Sequence, residues 1–179
     1  MPPSTVNPMS PDASEHSTST IRIRQPESTD GLALHELVAQ CPPLDPNSIY
    51  CNLLHCSHFA QTGAAAWSEQ NLVGFVSGYR VPERPHTLFV WQVAVSTAAR
   101  GQGLGKRLIR DILDRQGNQD ITHLETTITP DNEASWALFR GLARDLGAAV
   151  SDSVLFDQKA HFHDRHGSEV LLCIGPFSH

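Results

Sequence analysis

A mixed α/β fold in one domain is what this sequence of 179 residues predicts, and three observations predict it. Segments of period-two and period-3.6 apolar spacing follow one another in the order βααβββαβαβ. An apolar, strand-forming run at 88–95 leads into the glycine-rich turn Arg100-Gly101-Gln102-Gly103-Leu104-Gly105. That turn opens an amphipathic helix, with Leu104, Leu108, Ile109 and Ile112 on one face.

Each element has its own local signal. Ile21-Arg22-Ile23-Arg24 alternates as a first strand. Ser28-Thr29-Asp30 caps a helix whose Leu34, Leu37, Val38 and Cys41 share a face, and Pro42-Pro43 ends it. Asn47 or Ser48 caps a second helix carrying Ile49, Leu53, Leu54 and Cys56. A hairpin follows, with strands at 64–67 and 72–79 around the polar turn Glu69-Gln70-Asn71. A loop over 82–85 leads to the strand at 88–95. Beyond the glycine turn and its helix, 123–128 reads as a strand. Asn132 begins a helix with Trp136, Leu138, Phe139 and Leu142, closed near Gly147, and 170–174 is the last strand.

Composition narrows the function. Residues 1–20 are rich in Pro, Ser and Thr and nearly free of large apolar side chains, so a disordered tail is expected there and a single domain over 21–179. The tail has no apolar core of a secretory signal, and no stretch approaches the roughly 20 apolar residues of a membrane helix. A formal charge of −6 argues against nucleic acid as the main partner. Arg100, Lys106, Arg107 and Arg110 nonetheless gather at the glycine turn, either as a field for an anion or as a solvated basic helix face. Cys41, Cys51, Cys56 and Cys173 show no metal or disulfide spacing, which suggests free thiols and a cytoplasmic location.

A glycine-rich turn at a helix N-terminus presents main-chain N–H groups that suit a diphosphate. Two common phosphate loops are excluded by spacing. A triphosphate loop would need glycine where Arg100 stands and Ser or Thr where Arg107 stands, and glycines at 101, 103 and 105 break the dinucleotide pattern Gly-x-Gly-x-x-Gly. The pattern Arg/Gln-x-x-Gly-x-Gly/Ala is filled by Arg100, Gly103 and Gly105. With Val93-Ala94-Val95 before it, the segment resembles the acetyl-coenzyme A loop of the GNAT superfamily of N-acetyltransferases. The resemblance implies a GNAT-type fold: a mixed central sheet with two splayed strands, flanked by helices. It also implies that Val93, Ala94, Val95, Arg100, Gly101, Gln102, Gly103, Leu104, Gly105, Lys106 and Asn132 bind acetyl-coenzyme A.

Further stretches carry a narrower resemblance. Cys41-Pro42-Pro43-Leu44-Asp45-Pro46-Asn47-Ser48-Ile49-Tyr50, Phe75-Val76-Ser77-Gly78-Tyr79-Arg80, Phe89-Val90-Trp91-Gln92, Leu124-Glu125-Thr126-Thr127 and Ile174-Gly175-Pro176-Phe177 are similar to the L-2,4-diaminobutyrate acetyltransferase family. That family makes the acetylated precursor of the compatible solute ectoine, a response to osmotic stress. The resemblance implies acetyl transfer to the 4-amino group of L-2,4-diaminobutyrate in a homodimer, with Asp45, Tyr50, Trp91, His166 and Glu169 at the substrate pocket. Three have an ordinary reading too: Asp45 as a turn residue before Pro46, Glu169 as a solvated strand end, Trp91 as core. His161, His163 and His166 hint at a metal, but without matching cysteine or carboxylate partners no metal is expected.

The attacking amine must be neutral, which costs roughly 4–5 kcal/mol at pH 7 for an alkyl amine of pKa about 10.4. A carboxylate beside the reacting ammonium holds the proton on. One acid therefore binds the 2-ammonium while another accepts the proton. Glu169 is the candidate acceptor and Asp45 the candidate binder, with the reverse also open. One position departs from the superfamily pattern: Phe139 stands where a tyrosine protonates the leaving thiolate. Either the thiolate leaves unassisted or Tyr50 supplies the proton. Two competing readings are an acetyltransferase for another small diamine or amino acid, and a catalytically silent acetyl-coenzyme A sensor.

Overall fold

The computed structural model describes residues 20–179, so the tail predicted over 1–20 lies, but for Thr20, outside the described residues. A seven-stranded sheet, in the order β1-β2-β3-β4-β5-β7-β6, is covered on both faces by helices. Its strands are β1 (Ile21–Arg24), β2 (Ala64–Ser68), β3 (Asn71–Val81), β4 (Arg84–Val95), β5 (His123–Ile128), β6 (Val150–Phe156) and β7 (Glu169–Ile174). The helices are α1 (Gly31–Ala39), α2 (Ile49–Ser57), α3 (Leu104–Leu113) and α4 (Glu133–Leu146).

Two apolar layers hold the sheet. Leu104, Leu108, Ile109 and Ile112 of α3 are all buried against Val76, Leu88, Leu124 and Leu172 of the sheet and Leu142 of α4. A ten-residue helix is marginal alone, and burial of each such side chain contributes about 2 kcal/mol, so packing rather than propensity forms it. On the other face Leu34, Leu37, Val38, Cys41 and Cys56 pack on Ala65, Phe75 and Ala94.

All neighbouring strands are antiparallel except β4 and β5, which are joined through α3 and run parallel. Their ladder has three residue pairs, Thr87–His123, Leu88–Leu124 and Phe89–Glu125. Past Phe89 the strands separate, and this splay is the opening on which the site is built. A bulge marks the same point. Ser77 pairs with Gln92 and Gly78 with Val90, leaving Trp91 unpaired. The extra residue inverts the alternation of β4, so that Val90 and Val93 both turn toward the α3 layer. Glycine is required opposite: a Cβ on Gly78 would stand 2.6 Å from the Phe89 carbonyl oxygen.

Four sequence expectations are corrected. Helix α1 stops at Ala39, and Cys41 is buried in the turn beyond it. Ser48 caps α2, but the helix buries Asn52, His55 and Cys56 and leaves Ile49 and Leu53 largely exposed. Apolar periodicity misses this because the buried face carries two polar residues. Strand β4 starts at Arg84, through Pro85, after a two-residue turn. Strand β6 was not expected at all: it is an edge strand with every residue exposed, so no burial enforces alternation. The four cysteines are free thiols.

Candidate active site

The separated ends of β4 and β5 open onto two adjoining cavities, of about 680 Å³ and about 400 Å³. Pro43, Leu44, Val93, Asn132, Ala134 and Ser135 line both, so the two form one continuous cleft. Both volumes lie in the range of small-molecule sites.

The smaller cavity is lined by the glycine-rich turn at the start of α3, whose geometry suits an anion. Gly103, the N-cap of α3, has φ +68° and Gly101 has φ +75°, and a Cβ on either would meet nothing within 4 Å. The first helical amides, at Leu104, Gly105 and Lys106, have no acceptor within the helix and aim outward at its positive end. Val95, Arg100, Gly101, Gly103, Leu104 and Gly105 line this cavity. Gly105 has a packing reason as well, since a Cβ there would stand 3.2 Å from Leu138 Cδ1. Arg100 is the cavity's charged lining residue, its Nε donating to the Val95 carbonyl at 3.0 Å.

Three residues expected at this groove turn elsewhere. The Lys106 ammonium pairs with Asp145 of α4 at 2.9 Å, leaving its main-chain N–H as its contribution to the turn. Lys106 also holds the Asp145 carboxyl below the usual carboxylate range. Gln102 donates to the Ala98 carbonyl at 3.3 Å, and the Ala94 side chain is buried under α1 and α2. Asn132 lines both cavities, and its Oδ1 accepts the Ser135 N–H at 3.1 Å, so it is at once a helix cap and a wall of the cleft.

The larger cavity has the opposite charge. Asp45, Asp131, Glu133 and Glu169 line it, and among the described residues no Lys or Arg does. Four of the five residues expected at a substrate pocket meet here: Asp45, Trp91, His166 and Glu169. Asp45 comes from the connection between α1 and α2, Trp91 from the β4 bulge, and Glu169 from the start of β7. His166 comes from the segment before β7, and its Nε2 stands 3.9 Å from Glu169 Oε1. Trp91 is half exposed, its ring in a T-shaped pair with that of His55 at 4.8 Å between centroids, so it is a wall and not core.

The fifth, Tyr50, is 70 % exposed on α2 and does not line the cavity in this chain. The other tyrosine, Tyr79, stacks on Phe89 at 5.2 Å and is also outside it. Phe139 is buried in the cavity wall, so no phenolic hydroxyl reaches the cleft. Sequence reasoning missed Asp131 and Glu133 at the head of α4, Thr126 and Thr127 of β5, and Gln92 beside the bulge. Polar residues on a buried strand, such as Thr126, were the available signal. Among the described residues no three His, Cys, Asp or Glu side chains come together as a metal site.

The chain matches the acetyltransferase (GNAT) family over residues 31–143. It is 57 % identical over 157 residues to the L-2,4-diaminobutyric acid acetyltransferase of Methylotuvimicrobium alcaliphilum, covering 88 % of this chain and 91 % of that protein. It is 51 % identical over 152 residues to the Vibrio cholerae enzyme of the same name, covering 85 % and 88 %. The fold superposes with a TM-score of 0.85 and 35 % identity on the diaminobutyrate acetyltransferase EctA of Paenibacillus lautus, a structure in complex with its substrate L-2,4-diaminobutyric acid and coenzyme A. That match covers 90 % of this chain and 98 % of the other.

Proposed function

The chain belongs to the acetyltransferase (GNAT) family and, within it, to the L-2,4-diaminobutyric acid acetyltransferases, and from that premise we propose that it transfers acetyl from acetyl-coenzyme A to the 4-amino group of L-2,4-diaminobutyrate. The observation that carries this reading is the division of charge along one cleft: an amide-rich, arginine-bearing cradle at one end and four carboxylates at the other. Diaminobutyrate carries two ammonium groups and one carboxylate at neutral pH, so it is attracted to the acidic end. The diphosphate of coenzyme A suits the other end.

The residues divide the work as follows. Main-chain N–H groups at 104–106 hold the diphosphate and direct the thioester toward the splay. On its β5 side β4 has no ladder beyond Phe89, so amides around Val93 are available to polarise the thioester carbonyl. Asp45 holds the 2-ammonium. Glu169 accepts a proton from the 4-ammonium before the neutral amine attacks, and His166 beside it passes that proton toward solvent. As the C–S bond breaks and the amide C–N bond forms, the second proton lost by the attacking nitrogen passes to the departing sulfur. The departing thiolate has a moderate pKa, about 8.5 for a simple thiol, and leaves without a tyrosine, consistent with Phe139 in the wall and Tyr50 outside it.

Exposed Ile49, Tyr50 and Leu53 on α2, with Trp91 against its His55, support a homodimer through an apolar surface. Elution at twice 19.6 kDa tests it. A cytoplasmic role in compatible-solute synthesis under osmotic stress completes the reading, and no helix among the described residues is long and apolar enough to cross a membrane. The deciding experiment compares turnover of diaminobutyrate, ornithine and putrescine, with the acetylated nitrogen located by NMR. Preference for ornithine or putrescine overturns the substrate. Coenzyme A binding without transfer to any of the three identifies a sensor instead.

A further inference from the structure

The stretch that carries Asp45 has no regular structure of its own: residues 45–47 belong to no helix or strand. Gln92 of β4 holds it from the cavity wall. The Gln92 Nε2 donates to the main-chain carbonyl of Asp45 at 3.0 Å, and its Oε1 accepts from Asn47 Nδ2 at 2.9 Å. Both ends of one amide are therefore engaged, on the residues either side of Pro46. The Asn47 carbonyl is held in turn by His35 Nδ1 of α1 at 3.0 Å, and since a carbonyl only accepts, that ring nitrogen carries the hydrogen. Gln92 stands where it does because of the bulge at Trp91, which resets the alternation of β4 just before it. One strand thus supplies both the wall of the cavity and the fastening of its acid.

Resting on the reading of Asp45 as the group that holds the 2-ammonium, we propose that Gln92 is a positioning residue for substrate recognition. It fastens the 45–47 segment to β4 so that the Asp45 carboxylate is presented to the cavity in one place. Asp45 itself is exposed, and small displacements of a positioning group cost binding steeply, so the fastening decides how well the pocket is formed.

Steady-state kinetics on the full chain tests this with Gln92→Met, which keeps length and removes both hydrogen bonds, Asp45→Ala, and the double variant. Gln92→Met should raise KM for diaminobutyrate about fivefold to tenfold, as expected for lost hydrogen bonds. Its kcat and the Kd for coenzyme A should stay at the wild-type level, a split that general loosening of the fold would not produce. In the Asp45→Ala background the same change should leave KM unmoved, because Gln92 acts through Asp45. Gln92→Glu, which keeps the Asn47 contact but sets a carboxylate against the Asp45 carbonyl, should reproduce the rise in KM if the methionine variant does not fold. An unchanged KM in both Gln92 variants overturns the proposal. So does a rise that persists undiminished in the double variant, which would mean that Gln92 touches the substrate itself. A wild-type KM in Asp45→Ala alone removes the reading of Asp45, and is seen without reference to Gln92.

Discussion

Replacing Gly103 by alanine separates the phosphate cradle from the fold that carries it. Gly103 has φ +68°, and a Cβ there meets nothing within 4 Å. The free protein therefore suffers only the left-handed backbone cost of an L-residue, about 1 kcal/mol, which lowers Tm by about 2–4 °C in a domain of this size. Gly147 is a matched control. It closes α4 at φ +61°, with equally open space, and it lines neither cavity. Gly147→Ala should lose the same stability. The two variants differ in what shares the added methyl's space. At position 103 the methyl stands where the diphosphate meets the N–H groups, and loss of one hydrogen bond to a charged group, about 1.5–3 kcal/mol, weakens coenzyme A binding tenfold or more. Calorimetric titration of coenzyme A into both variants, beside thermal unfolding, reads the two effects apart. Equal, wild-type affinity in both would refute placement of the diphosphate on this turn.

Three further outcomes are expected. Glu169→Gln should lower kcat about 10²- to 10³-fold, as loss of a proton acceptor does, with coenzyme A affinity retained; normal single-turnover rates would remove Glu169 from the chemistry. Burial lowers the His55 pKa below its ordinary 6.5, so the unfolded chain takes the proton first. Stability from this group is whole above about pH 6.5 and is lost as pH falls below it; His55→Phe, which removes two buried nitrogens without partners, should flatten the fall in urea midpoint between pH 7 and 5. Gly78→Ala would press a methyl to 2.6 Å from the Phe89 carbonyl oxygen and 3.3 Å from that of Thr62, both main chain. It should destabilise by about 2–3 kcal/mol in chemical unfolding, and a cost under 0.5 kcal/mol would show that the bulge yields.

Much of the molecule was legible in its residues because much of it is local. The strand, glycine turn and helix from 88 to 112 are written in neighbouring positions: an apolar run, a glycine cluster, then Leu104, Leu108, Ile109 and Ile112 on one face. The same holds for Ser48 and Asn132 as caps and for Gly147 as the close of α4. Resemblance to a family, not a local period, named Asp45, Trp91, His166 and Glu169 as pocket residues, and the fold brings these four to one cavity. Where local reasoning failed, the outcome depended on a partner far along the chain. Lys106 looked free for a phosphate, and only the packing of α4 on α3 brings Asp145 to it. Tyr50 sits five residues from Asp45 yet faces outward, because α2 turns Asn52 and His55 inward instead of Ile49 and Leu53.

By itself, then, the sequence determined most of the elements and the glycine turn, since these follow from propensities and periods spanning a few residues, while the candidate acids came from resemblance to a family. Tertiary structure alone decided that β4 and β5 part after Phe89, that Trp91 bulges there, and that Asp131 and Glu133 join the acidic end of the cleft. The physical reason is range: register and cavity walls are set by contacts between segments tens of residues apart, and no short window of sequence holds both sides of such a contact.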